Sequence, residues 1–185
     1  MTYEKSRIDF NQFNTFNNVN YKFYIQKYSR KHWNKETSQY DEEAKGELID
    51  IEARFKCKYV KFEGLSETGK VKNIYTETYA ETEELRAYIP DEVLYENTDL
   101  SLTLLFAPDS TNESDVQNNE RAFFEYISGH KIEYHDTFRN RYVSLLLLNK
   151  PEVVGEVLYG GSRYREVKYT FKNIYGRSFA ESRIS

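Results

Sequence analysis

The chain has 185 residues, 30 acidic against 26 basic, and a net charge of −4. That length holds one domain with a core of its own, and the acidic balance excludes a dedicated nucleic-acid binder, which carries a basic stripe. The lone Cys57 excludes an internal disulfide and fits a cytoplasmic folding environment, while no apolar run nears the ~20 residues that span a bilayer and no signal-type apolar segment follows Met1.

Residues 1–18 are polar and Asn-rich, with Phe13 and Phe16 but no period. They read as either a disordered tail or an arm lying on a neighbour. The domain is expected over 19–176. It opens on Val19, Tyr21, Phe23 and Ile25, which alternate with polar residues as a half-buried strand does. A polar connection from Ser29 to Gly46 follows, longer than compact domains usually carry without a function. It joins two strands that should be neighbours, so it reads as a hairpin arm. Trp33 and Tyr40 would anchor that arm, with Arg30, Lys31, Asp41, Glu42 and Glu43 as its polar contacts. The alternative is a plain surface loop.

Ile49, Ile51, Ala53, Phe55, Cys57 and Tyr59 share one parity and predict one long strand. The apolar parity then passes to Val60 and Phe62, as it does at a bulge. Gly64 and Gly69 supply turn chemistry. Val71–Tyr79 and Leu85–Ile89 read as strands, and Leu100, Leu102, Leu104 and Phe106 as a clean one. A helix is predicted over Ser114–Ser128. Asn112 or Ser114 would cap it, Val116, Phe123, Phe124 and Ile127 would form its apolar face, and Gly129 would end it. After Ile132 and Tyr134, residues 135–140 read as a tight turn in which Asp136 bonds back to the backbone. Arg139 and Arg141 would pair with carboxylates within the domain or on a neighbour. Tyr142–Leu148 is apolar enough to be covered on both faces. Val157–Tyr159 and Val167–Phe171 complete the strands, and residues 177–185 read as an unstructured tail.

The elements sum to a mostly β (α+β) fold, a β-sandwich or barrel of about eight strands with one flanking helix. Catalytic signatures are lacking. No Gly-rich phosphate loop opens a helix, no nucleophile elbow occurs, and His32, His130 and His135 lack the further ligands a metal site needs. The chain is therefore expected to be no enzyme and to hold no metal or cofactor. Its 17 tyrosines suit strands and half-wet interfaces alike.

From Val71 onward the order of features carries a resemblance. It runs through Tyr75-Thr76-Glu77-Thr78-Tyr79, Leu85-Arg86-Ala87-Tyr88-Ile89-Pro90, Leu100–Phe106, Phe124–Gly129, Tyr134–Arg139, Tyr159-Gly160-Gly161-Ser162-Arg163-Tyr164 and Phe171–Gly176. This series resembles small virion proteins of tailed phages, including crAss-like phages of Bacteroidetes-type hosts. The inferred topology is also similar to the phage tail-tube fold, shared with neck proteins. The resemblance implies a structural subunit of a phage tail or head–tail neck that forms a six- or twelve-fold ring with copies of itself. It would sit beside other tail or portal-proximal proteins, assembled in the host cytoplasm into the virion, with DNA passing unbound and no membrane involved. Trp33, Tyr40, Arg30, Asp41, Arg139 and Arg141 would serve assembly. The rival reading is a monomeric Tyr-rich β-sandwich that binds carbohydrate or protein.

Overall fold

The computed structural model describes residues 23–29, 33–40, 44–65, 67–78, 85–107, 114–137, 139–159 and 162–180. In chain order the elements are β1 (Phe23–Tyr28), β2 (Trp33–Asn34), β3 (Gln39–Tyr40), β4 (Lys45–Asp50), α1 (Ile51–Phe55), β5 (Cys57–Glu63), β6 (Tyr75–Thr78), β7 (Leu85–Tyr88) and β8 (Thr98–Phe106). Then follow α2 (Ser114–Ile127), β9 (Lys131–Asp136), β10 (Arg141–Leu147), β11 (Glu152–Tyr159), β12 (Ser162–Asn173) and β13 (Phe179–Ala180).

Nine strands form one antiparallel sheet in the order β4-β1-β9-β10-β12-β8-β5, with β11 added to β12 and β13 to β10. The sheet doubles over on itself. Phe23 of β1 stacks on Tyr59 of β5 at 4.1 Å, and Phe62 of β5 on Tyr134 of β9 at 4.5 Å, although these strands lie towards opposite ends of the hydrogen-bonded path. The expected sandwich with a flanking helix is therefore the observed architecture. Its core is built from alternate residues of the central strands: Ile25, Leu102, Leu104, Ile132, Tyr134, Val143, Leu145, Val167, Tyr169 and Phe171. α2 covers one opening with Val116, Phe123 and Ile127, and Gly129 at φ +70° releases the chain into β9 as expected. Of the two candidate caps, Asn112 lies outside the described residues. Among the described residues no helix is long and apolar enough to cross a membrane.

Two expectations need correction. The long strand from Ile49 to Tyr59 is broken by α1. Asp50 accepts a hydrogen bond from the Ala53 amide at 3.2 Å, and Lys56 ends the turn in a left-handed conformation at φ 48°. Ile51 and Phe55 satisfy a two-residue and a 3.6-residue period equally, so their parity could not separate strand from helix; both are buried, with the intervening Ala53 exposed as a helix requires. The bulge predicted at Val60 is present, since β5 pairs with β8 as Tyr59↔Leu104 and Lys61↔Thr103. The second correction concerns the tail. Residues 177–180 are ordered against the sheet, with Phe179 opposite Tyr142 and Ala180 opposite Arg141. Tyr142 stacks on Phe179 at 5.3 Å, and the Arg177 guanidinium lies 4.9 Å from the same ring. A two-residue strand held by aromatic and cationic contacts shows no period in sequence. Residues 181–185 lie outside the described residues.

Candidate assembly surfaces

Two hairpin excursions leave the sandwich. The first joins β1 to β4. The strands stay paired as the chain departs, past a register shift between Gln26 and Tyr28: the Ser29 amide donates to the Ala44 carbonyl at 2.9 Å, and the Ala44 amide to Ser29 Oγ at 2.9 Å. β2 and β3 then pair with Trp33 opposite Tyr40 and Asn34 opposite Gln39. The two predicted anchors are thus cross-strand partners in backbone register. Arg30 and Asp41, together with Lys31, Glu42 and Glu43, lie outside the described residues. Lys45 and Gly46, expected in this connection, are the first residues of β4.

The second excursion, residues 64–97 between β5 and β8, was legible only as separate short strands. Its two limbs are one ladder. The Glu96 amide donates to the Lys70 carbonyl at 2.7 Å, Val71 bridges Tyr95, and the Lys72 amide donates to the Leu94 carbonyl at 3.0 Å. Asn73 extends it with its side chain, donating to the Glu92 carbonyl at 2.6 Å and accepting from the Leu94 amide at 2.8 Å. β6 and β7 continue it, with Tyr75 opposite Tyr88. Cross-strand partners share a face, so these two tyrosines stand side by side. Tyr75 is 71% exposed, Tyr88 55% and Ile89 68%. The excursion holds eight acidic and three basic residues, a net charge of −5, so the rest of the chain is close to neutral.

Two glycines clamp the base of this second arm. The Gly69 amide donates to the Gly176 carbonyl at 2.7 Å. A Cβ on either would meet the Glu96 carbonyl oxygen, at 1.9 Å from Gly69 and 2.1 Å from Gly176, and Gly176 also sits at φ +64°. Backbone cannot yield as a flexible side chain would. Gly69→Ala and Gly176→Ala are each expected to cost about 1–3 kcal/mol by over-packing, with Gly176→Ala the larger because of its left-handed backbone. Urea denaturation of the two variants measures this.

The edges of the sheet are not equally open. On β5 the Tyr59 amide is taken by Glu52 Oε1 of α1 at 2.9 Å, so a side chain satisfies one donor of that edge. Among the described residues, β4 and β11 pair on one side only. β11 carries exposed Val153, Val154 and Leu158, the last 72% exposed, with Leu148 just before it. A register shift between Val153 and Gly155 bends the strand. Its partner β12 is fixed to α2 by Arg165 Nε against Glu120 at 3.1 Å.

Arg139 and Arg141 are engaged within the domain. Asp136, wholly buried, accepts from the Arg139 amide at 3.0 Å and from Arg139 Nη1 at 2.6 Å, which realises the predicted turn. Arg139 also bonds the Tyr59 hydroxyl, whose pKa burial raises and Arg139 partly restores. Arg141 Nη1 donates to Ser178 Oγ at 2.8 Å. Sequence reasoning did not foresee the polar cluster on the outer face of β1 and β9. There Glu133, 5% exposed, accepts from the Tyr28 hydroxyl and from Lys45 Nζ at 3.2 Å, with His135 Nε2 at 3.5 Å. Burial would raise the Glu133 pKa, but the hydrogen bonds of His135, Tyr28 and Lys45 outweigh it and hold it at about 2.

No protein-family model matches the chain, and no curated protein matches its sequence. Among solved structures, the crystal structure of the Dit protein of phage SPP1 overlaps 86% of this chain and 52% of its own, with a TM-score of 0.45 and 11% identity. That protein is described as a paradigm of the hub adsorption apparatus in phages infecting Gram-positive hosts, and this chain spans about half its length.

Proposed function

We propose that this chain is a non-catalytic structural subunit of a phage tail or head–tail neck that closes into a six- or twelve-fold ring with copies of itself. The observation that carries the reading is the uneven sealing of its margins. Glu52 of α1 takes one donor of the β5 edge, whereas among the described residues β4 and the apolar β11 pair on one side only and two hairpin arms extend from the sandwich. An eight-residue edge strand with exposed Val153, Val154 and Leu158 is a liability in a monomer and an asset in an assembly. Edges on different strands would make a head-to-tail contact, which generates rings when the rotation closes. The resemblance of the segments from Tyr75 to Gly176 to small virion proteins points the same way, and the chain's net negative charge suits a channel that DNA passes without adhering.

Native mass measurement and negative-stain imaging of the purified protein test this. The expected result is a closed ring, and Val154→Lys with Leu158→Lys is expected to disperse it by placing charge on the β11 seam. A wild-type protein that stays monomeric at high concentration and is missing from purified virions would overturn the reading.

A further inference from the structure

We infer that Glu133 is a positioning latch: one buried carboxylate on β9 clasps both limbs of the first excursion at its root and holds that hairpin in one orientation on the sandwich. Tyr28 and Lys45 mark the two limbs. They are the last residue of β1 and the first of β4, and they stand opposite each other in register. Both side chains reach the same acceptor, the Tyr28 hydroxyl and Lys45 Nζ (at 3.2 Å) donating to Glu133. Glu133 lies opposite Gln26 in the β1–β9 ladder, so Lys45 crosses over β1 to meet it.

The backbone alone does not fix this exit. The β1–β9 ladder ends at Lys27↔Ile132, and the β1–β4 register shifts between Gln26 and Tyr28, an irregularity of the kind at which strands bend. Side chains take over there. His130 Nδ1 lies 3.0 Å from the Tyr28 carbonyl, which only accepts, so the imidazole donates. Lys131 Nζ stands 4.4 Å from the centre of the Tyr28 ring, and Lys45 Nζ 5.6 Å. His135 backs the carboxylate, with Nε2 at 3.5 Å and its ring stacked on Tyr142 at 5.5 Å. Glu133 is 5% exposed and Tyr28 6%. A carboxylate so buried is stable only with its donors in place, and swinging the excursion away would withdraw two of them together. The hairpin is therefore held before any partner arrives, which lowers the ordering cost of a contact made through it. That last consequence rests on the self-assembly reading above; the latch itself does not.

Hydrogen–deuterium exchange of the full-length protein, read peptide by peptide, tests the latch. In Glu133→Gln the amides of Ser29, Ala44 and the β2–β3 hairpin are expected to exchange at least about tenfold faster than in wild type, because opening no longer strands a buried charge. Lys45→Met, at a side chain 57% exposed, spares the core and is expected to move the same amides in the same direction by a smaller factor. Phe123→Leu is the control. It loosens the core without touching Glu133 or its donors, and is expected to leave those amides at the wild-type rate. A wild-type excursion that exchanges as fast as an unfolded peptide, Glu133→Gln and Lys45→Met proteins that exchange there like wild type, or an equal rise in Phe123→Leu overturns the latch and leaves the ring reading standing. A wild-type protein that exchanges as expected but never assembles overturns the ring reading and leaves the latch.

Discussion

Phe123→Ala is expected to lower the stability of the domain by about 3–5 kcal/mol, the range for removing a buried aromatic ring from a close-packed core. Phe123 is fully buried and meets Tyr169 of β12 at 4.9 Å and Phe55 of α1 at 5.1 Å, both edge-on, and Phe106 of β8 at 6.1 Å. One ring thus joins both helices to two neighbouring strands. For a chain of this size the loss corresponds to a fall in melting temperature of about 6–20 °C. Phe123→Leu, which keeps most of the volume, is expected to cost less than half as much. Thermal and urea unfolding of the two variants checks this; an unchanged midpoint for the Ala variant would show that α2 does not bear on the core as described.

Acid should remove a second stabilising contribution, that of Glu133. Its ordinary value of 4.5 falls to about 2 in the folded protein. A carboxylate with a depressed folded pKa contributes its full stability above the unfolded value and loses it as pH falls through the folded one. The window is therefore roughly pH 4.5 down to 2. The contribution is on the order of 2 kcal/mol once the share carried by the largely exposed Lys45 is discounted. In Glu133→Gln the side chain can no longer gain or lose a proton. Urea midpoints of wild type and variant should differ at pH 7 and converge as pH approaches 2. Parallel curves across that range would show that Tyr28, His135 and Lys45 do not hold Glu133 ionised.

Much of the sandwich was legible from alternation. The strands around Phe23, Leu102, Tyr134 and Tyr169 each place one residue in two in the core, and the helix was marked by Val116, Phe123 and Ile127 with Gly129 behind them. The Val60 bulge was visible as a change of parity, and the Asp136 turn as a polar interval between two apolar runs. The first connection was visible as an overlong polar interval between neighbouring strands, and within it Trp33 and Tyr40 are register partners. α1 was missed because a one-turn helix has too few residues to reveal its period.

The second arm was hidden for a different reason. Val71, Tyr75, Tyr88 and Ile89 look like core residues in the sequence, and only the positions of β6 and β7 leave them exposed. The parity of the main core strands and the place of the main helix were thus determined by the sequence alone, because a two-residue or 3.6-residue period is a local property. Which edges stay open, which apolar residues remain in water, and that Arg141 bonds Ser178 were decided only by the tertiary structure. Each of those depends on what lies opposite in space, and alternation along one strand carries no information about that.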